Sequence, residues 1–96
     1  MSRNEAVALL RTHKETLANR FDVVEIGLFG SVARDQAGDN SDVDILVRFD
    51  GPATSKRYFG VQFYIEDLLH HRVDLVTHKA LRTEFRPFVE KEIVSV

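Results

Sequence analysis

Three aspartates in apolar, strand-like segments are the residues whose type and spacing best fit a catalytic role. Asp42 and Asp44 alternate with aliphatic residues in one segment, and Asp74 is flanked by aliphatic residues in another. Because strand side chains alternate between faces, we expect Asp42 and Asp44 on one face, about 6.5–7 Å apart, with Asp74 on the same side. Clustered carboxylates repel, and a hard cation such as Mg²⁺ removes that conflict. The aspartates therefore predict a site for two Mg²⁺ ions that serves nucleotidyl transfer.

A small-residue turn ahead of these aspartates predicts a place for phosphate. Gly30 lets the backbone approach a phosphate closely, and a helix that follows it presents free N–H groups. The Ser31 hydroxyl can bond a β- or γ-phosphate oxygen, and Arg34 can add positive charge or instead pair with Asp39 or Asp42. Each feature alone is usually structural, a helix cap or a solvated strand end. Their coincidence makes a phosphate site the better interpretation.

The composition is that of one globular domain over residues 1–96. The chain has 44% hydrophobic and 29% charged residues and a net charge of −2, which excludes the basic surface of a dedicated nucleic-acid binder, so no direct nucleic-acid contact is expected. It has no cysteine, which excludes disulfides and Cys-ligated zinc. No apolar run approaches the roughly 18 residues of a membrane helix, and the N-terminus lacks a signal-peptide core. We therefore expect a cytoplasmic protein without membrane association.

Hydrophobic periodicity predicts alternating helices and strands. Aliphatic residues at alternate positions of the second strand are expected to face the helices: Val43, Ile45, Val47 and Phe49. The order predicts an α/β domain with a small mixed sheet and helices mainly on one face. The predicted helices are 4–19, 31–35 (capped by Ser31), 56–70 and 79–93, and the strands are 23–29, 42–49 and 72–77, with 94–96 as a short edge strand or a frayed end.

Three segments carry a resemblance to a known family: 30–34 (GSVAR), 41–47 (SDVDILV) and 73–76 (VDLV). They resemble the polymerase-beta nucleotidyltransferase superfamily, and more narrowly the minimal nucleotidyltransferase (MNT) domains of prokaryotes. The resemblance implies a polymerase-beta-like fold, Asp42, Asp44 and Asp74 as the metal-binding catalytic triad, and Gly30 and Ser31 as ligands of the triphosphate of ATP.

The resemblance also implies a partner. MNT domains of this length commonly act as antitoxins against HEPN-domain ribonuclease toxins, and can transfer AMP from ATP to a toxin tyrosine. Larger nucleotidyltransferases add a domain for the acceptor, and this chain is too short for one, which favours a protein acceptor. Two alternatives stay open, a non-enzymatic antitoxin that masks the toxin and a small-molecule nucleotidyltransferase.

One position departs from the family pattern. Many relatives have glycine after the motif arginine, whereas this chain has Asp35. We expect this residue to reshape the loop 35–41 and to place an extra acid near the phosphates.

The acid-bearing face of the sheet is the predicted docking surface. It should also present Leu46, Arg48 and Val76, and an apolar face left open favours binding of the partner or of a second copy of this chain. The alternative is that the last helix crosses this face.

The remaining aromatic and basic residues are interpreted as structural. Four residues of the third helix are expected mainly in the core, with Tyr64 or Phe59 at its rim and base stacking as the alternative, namely Tyr58, Phe59, Phe63 and Tyr64. Phe85 and Phe88 are expected to anchor the last helix. Lys56 and Arg57 are expected at a solvated helix start, with a phosphate contact as the alternative.

Overall fold

Four strands and four helices alternate along the chain, as the periodicity predicts. The computed structural model describes residues 1–38 and 40–96. The helices are α1 (Arg3–Phe21), α2 (Gly30–Ala33), α3 (Ser55–Leu69) and α4 (Arg86–Glu92). The strands are β1 (Val23–Phe29), β2 (Val43–Phe49), β3 (Val73–Thr77) and β4 (Val94–Ser95).

The sheet is mixed and has the strand order β3-β2-β1-β4. β1 pairs antiparallel with both β2 and β4, whereas β2 and β3 run parallel. A parallel pair needs a long crossover connection, and α3 supplies it. The predicted small mixed sheet is confirmed, and residues 94–96 do supply the short edge strand.

One face of the sheet and the two long helices form the core. The predicted stripe of β2 is buried, with Val43, Ile45 and Val47 at 0% exposure, whereas the alternate residues of that strand are more exposed. Buried residues of α1 and α3 complete the cluster: Ala6, Val7, Leu10, Leu17, Val61, Ile65 and Leu69. Because the core occupies this face, the opposite face is left for Asp44 and its neighbours.

Helix boundaries agree with local capping chemistry. Ser2 accepts a hydrogen bond from the Glu5 N–H and forms a capping box at the start of α1. Asp22 and His70 end α1 and α3 in the left-handed conformation, with φ of 59° and 55°. Among the described residues, no helix is both long and apolar enough to cross a bilayer.

The last helix is much shorter than the predicted 79–93. Residues 79–85 form turns, and Pro87 lies in the first turn of α4, where its missing N–H costs no helical hydrogen bond. Phe85 and Phe88 do not anchor this helix, since they are 52% and 71% exposed, and Val89 is buried instead. The prediction for these two aromatics is wrong because Val89 is the residue that α4 buries.

The expected helix cap at the phosphate turn is also wrong. α2 begins at Gly30, its N-cap position is Phe29, and no side chain caps it. Ser31 therefore lies inside the first turn, where its hydroxyl is not committed to capping α2.

Two of the four aromatics of α3 lie outside the core. Phe59 and Phe63 are 49% and 60% exposed and stack on each other with ring centroids 6.1 Å apart. Tyr58 and Tyr64 are half-buried, and the Tyr58 hydroxyl donates to the Leu75 carbonyl. The core prediction is therefore wrong for Phe63, whereas Phe59 is one of the two residues expected at the rim of the core.

Arg57 has a structural role at the start of α3. Its guanidinium pairs with Asp22 at 2.7 Å and donates to the backbone carbonyls of Asp50 and Pro52. These contacts join the turn after β2 to the end of α1, so Arg57 is held by the protein and is not simply solvated as expected.

The acid-bearing face is partly covered by the C-terminal segment. Gly27 of β1 pairs with Leu46 of β2, and the Ile93 side chain packs so closely over Gly27 that a Cβ there would overlap it. The expectation of a fully open face is therefore wrong at Gly27, whereas Leu46 is half-buried and lines a groove of about 240 Å³. The face stays accessible at the end that carries Asp44, Asp74 and Val76.

Gly27→Ala should lower the free energy of unfolding by about 1–3 kcal/mol, because the added methyl overpacks against Ile93. In an Ile93→Ala background the same change should cost much less, since the obstructing atoms are gone. Urea denaturation of both single variants and the double variant measures this coupling. Additive effects of the two changes would contradict the packing of Ile93 over Gly27.

Candidate nucleotide and metal site

Two of the three predicted aspartates are direct neighbours in the sheet. Asp44 of β2 and Asp74 of β3 are register partners in the parallel pair, so their side chains leave the same face side by side. Burial, followed by the charge and hydrogen bonding of Asp74 and the charge of Asp42, raises the pKa of Asp44 from 3.8 to about 6, and the Arg34 guanidinium lowers it to a smaller extent. The structure thus places side by side two carboxylates that repel each other when both are charged.

Asp42 lies one residue before β2 and is exposed. Its Oδ1 atom forms an ion pair with Arg72 Nε at 3.4 Å. Over the part of the chain that the structure describes, no group of three or more His, Cys, Asp or Glu side chains is placed to hold a metal ion. The structure therefore brings Asp44 and Asp74 together, whereas Asp42 is engaged with Arg72.

The donor chemistry of the carboxylate pair fits a divalent cation. Carboxylate oxygens are the ligands that Mg²⁺ prefers, often only one or two of them together with phosphate oxygens and water. A cation between Asp44 and Asp74 would also remove the repulsion that raises the pKa of Asp44.

Gly30 connects the phosphate turn directly to this pair. It follows Phe29, the register partner of Asp44, and its φ of 75° lies in the left-handed region. A Cβ at Gly30 would overlap the Asp44 carboxylate. Glycine is therefore required both for the backbone conformation and for space, and the predicted phosphate turn and metal site are one site.

Glu92 is a further residue of this site, and the sequence contains no spacing or motif signal that identifies it. Its Oε1 accepts from the Gly30 N–H at 3.1 Å, and its Oε2 accepts from Arg34 Nη1 at 2.7 Å. These two contacts lower the pKa of Glu92. Arg34 therefore pairs with Glu92 and not with Asp42, and the alternative partner Asp39 lies outside the described residues.

An apolar cleft of about 520 Å³ adjoins the carboxylates. Asp44, Asp74, Gly30 and Glu92 lie at its polar side. Its apolar wall comes from three elements and the turn before α4, and consists of Phe29, Val76, Leu81, Phe85, Phe88 and Val89. A nonpolar or aromatic group in this cleft would lie next to the carboxylate pair.

Asp35 is turned away from the phosphate turn. It adopts a left-handed conformation with φ of 55°, which glycine favours and aspartate tolerates. Its Oδ1 accepts from the Arg3 N–H at 2.8 Å at the start of α1. The backbone thus keeps the conformation that glycine would favour, and the expected extra acid faces α1.

In metal-free protein, Asp44→Asn should raise the free energy of unfolding at pH 7.5 by about 1 kcal/mol, after allowance for solvent screening. Since the pKa of Asp44 is raised from 3.8 to about 6, wild-type protein loses stability as the pH rises from 3.8 to 6, and the asparagine variant does not.

Urea denaturation in EDTA between pH 4 and pH 7.5 measures this difference. Asp67→Asn, on an exposed part of α3, is the control with the same change of charge. An identical pH dependence of wild type and Asp44→Asn would contradict the raised pKa of Asp44.

The sequence of this chain resembles those of known proteins. Residues 10–96 match the family model described as the nucleotidyltransferase domain. Protein adenylyltransferase MntA of Thermococcus cleftensis is 41% identical over 92 residues, which covers 96% of this chain and 93% of that protein.

Two solved structures share the fold. One described as a minimal nucleotidyltransferase superposes with a TM-score of 0.83 at 32% identity, covering 100% of this chain and 97% of its own. A chain from the complex of a tri-AMPylated Shewanella oneidensis HEPN toxin with MNT antitoxin gives a TM-score of 0.61 at 22% identity. The match covers 97% of this chain and 66% of that chain. Sequence and fold agree, and the chain belongs to the nucleotidyltransferase domain family.

Proposed function

We propose that this chain, acting as a single minimal domain over residues 1–96, transfers AMP from ATP to a tyrosine of a HEPN ribonuclease toxin and so acts as an antitoxin. The observation that carries the proposal is the position of the Asp44 carboxylate, which lies against Gly30 and beside Asp74, its register partner in β3. Its similarity to a protein adenylyltransferase over nearly the whole chain supports a protein acceptor. The cytoplasm is the proposed location.

The proposed roles follow from the positions of the side chains. Asp44 and Asp74 hold Mg²⁺, with Asp42 as the third ligand. Such ions, when bound, lower the pKa of the attacking hydroxyl and offset charge on the leaving pyrophosphate. The other residues act on the phosphates of ATP, through the Gly30 N–H, the Ser31 hydroxyl and the Arg34 guanidinium. In the reaction, a bond forms between the acceptor oxygen and the α-phosphorus as the bond to pyrophosphate breaks.

The open end of the acid-bearing face is the proposed path of the acceptor. Phe85 and Phe88 stand exposed at the apolar wall of the cleft, and Val76 lies beside Asp74 on β3. An aromatic acceptor side chain that packs against this wall would bring its hydroxyl towards Asp44 and Asp74. We therefore place the docking surface at Val76 and its register partner Leu46.

A second candidate function is masking of the toxin without catalysis. The ion pair between Asp42 and Arg72 favours it, because it engages one proposed metal ligand. In that case the same exposed surface would bind the toxin, and the carboxylate pair would be dispensable for protection.

Incubation of the protein with its cognate HEPN toxin, ATP and Mg²⁺ should add the mass of one or more AMP units to the toxin. Asp44→Asn should reduce the rate of transfer at least about 100-fold, because the metal site loses a charged ligand, while toxin binding is kept. Intact-mass spectrometry of both proteins measures the product.

Asp67→Asn is the control and should leave the rate of transfer unchanged. Unchanged masses in a tight complex that still blocks the ribonuclease would overturn the transferase proposal in favour of masking.

Phe88→Ala should weaken binding of the toxin about 10-fold or more, as expected for an exposed aromatic at the centre of an interface. Phe63→Ala is the matched control, since Phe63 is comparably exposed on α3, and it should leave affinity unchanged. Isothermal titration calorimetry without ATP gives both affinities. Equal effects of the two variants would exclude the cleft as the docking surface.

A further inference from the structure

Glu92 forms hydrogen bonds with the Gly30 N–H and the Arg34 guanidinium, the same groups that the proposed function assigns to the triphosphate. One carboxylate oxygen accepts from the Gly30 N–H at 3.1 Å and the other from Arg34 Nη1 at 2.7 Å. A carboxylate that bridges a backbone N–H and a guanidinium makes the contacts that a phosphate oxygen pair would make there. The phosphate turn therefore already holds an anion, supplied by the chain itself.

We propose that Glu92 is an internal competitor of the nucleotide, and that its carboxylate must leave Gly30 and Arg34 before the triphosphate can bind. The inference rests on the proposed function, because it takes the same two groups as phosphate ligands. A single backbone N–H does not serve two anions at once, and a carboxylate kept beside a triphosphate would repel it. Glu92 thus lowers the affinity for ATP.

The packing around Glu92 allows its release without unfolding of α4. Val89, one turn earlier, is buried, and Ile93, the next residue, packs over Gly27. The Glu92 side chain itself is 27% exposed, and that of Arg34 is 46% exposed. Rotation of the Glu92 side chain towards solvent is therefore sufficient, and the helix can stay in place.

The competing interpretation is that Glu92 orients Arg34 for phosphate binding. The two interpretations predict opposite signs. Removal of a competitor raises the affinity for nucleotide, whereas removal of a positioning residue lowers it. A purely structural contact would change stability and leave nucleotide affinity as it was.

The test is the affinity for α,β-methylene ATP with Mg²⁺, an analogue that cannot release pyrophosphate. Glu92→Ala should lower its dissociation constant about 5- to 10-fold, a modest effect because the ion pair is partly exposed. Glu92→Gln, which keeps the size of the side chain and loses its charge, should shift the constant in the same direction. Glu90→Ala, an exposed residue of the same helix with the same charge change, should have no effect.

Each outcome has a defined meaning. If the wild type binds the analogue and both Glu92 variants bind it equally well or more weakly, the competitor role is overturned and the proposed function stands. Failure of every protein, including the wild type, to bind the analogue would overturn both. In transfer assays, a lower KM for ATP with unchanged kcat in Glu92→Ala would support competition, whereas a lower kcat would contradict it.

Discussion

The close approach of the Gly30 backbone to the Asp44 carboxylate is the constraint on which the site depends. It requires a residue without a Cβ in the left-handed conformation at the end of β1, opposite Asp44 of β2. The parallel register of β2 and β3 then adds the Asp74 carboxylate. Burial and the like charge of Asp74 raise the pKa of Asp44 to about 6.

One face of the sheet forms the core and the other carries the acids, because apolar and other side chains alternate along β2. One set of alternate residues is fully buried against α1 and α3, and that apolar core supplies the stability that offsets the repulsion of the acids. The other set places Asp44 on the opposite face. A shift of one residue in the register would bury the acids and expose the core, so the pattern of β2 specifies both at once.

The C-terminal segment decides how much of the acid-bearing face is accessible. Ile93 packs over Gly27. Phe85 and Phe88 line the apolar cleft beside Asp44 and Asp74, which is open to solvent. Glu92, between these parts, binds the phosphate turn. A helix of only seven residues thus shapes the entrance, the apolar wall and the charge of the site in a chain similar to a protein adenylyltransferase.

The sequence by itself determined the strand and helix order, the core stripe of β2 and the shared face of Asp44 and Asp74, because these follow from local periodicity and turn chemistry. Only the tertiary structure decided the contacts between distant segments. Glu92 reaches a turn 62 residues away in sequence, and Arg72 forms an ion pair with Asp42. Periodicity carries no record of such pairings, since they depend on how the last helix packs and on which charges the folded chain brings within hydrogen-bonding distance.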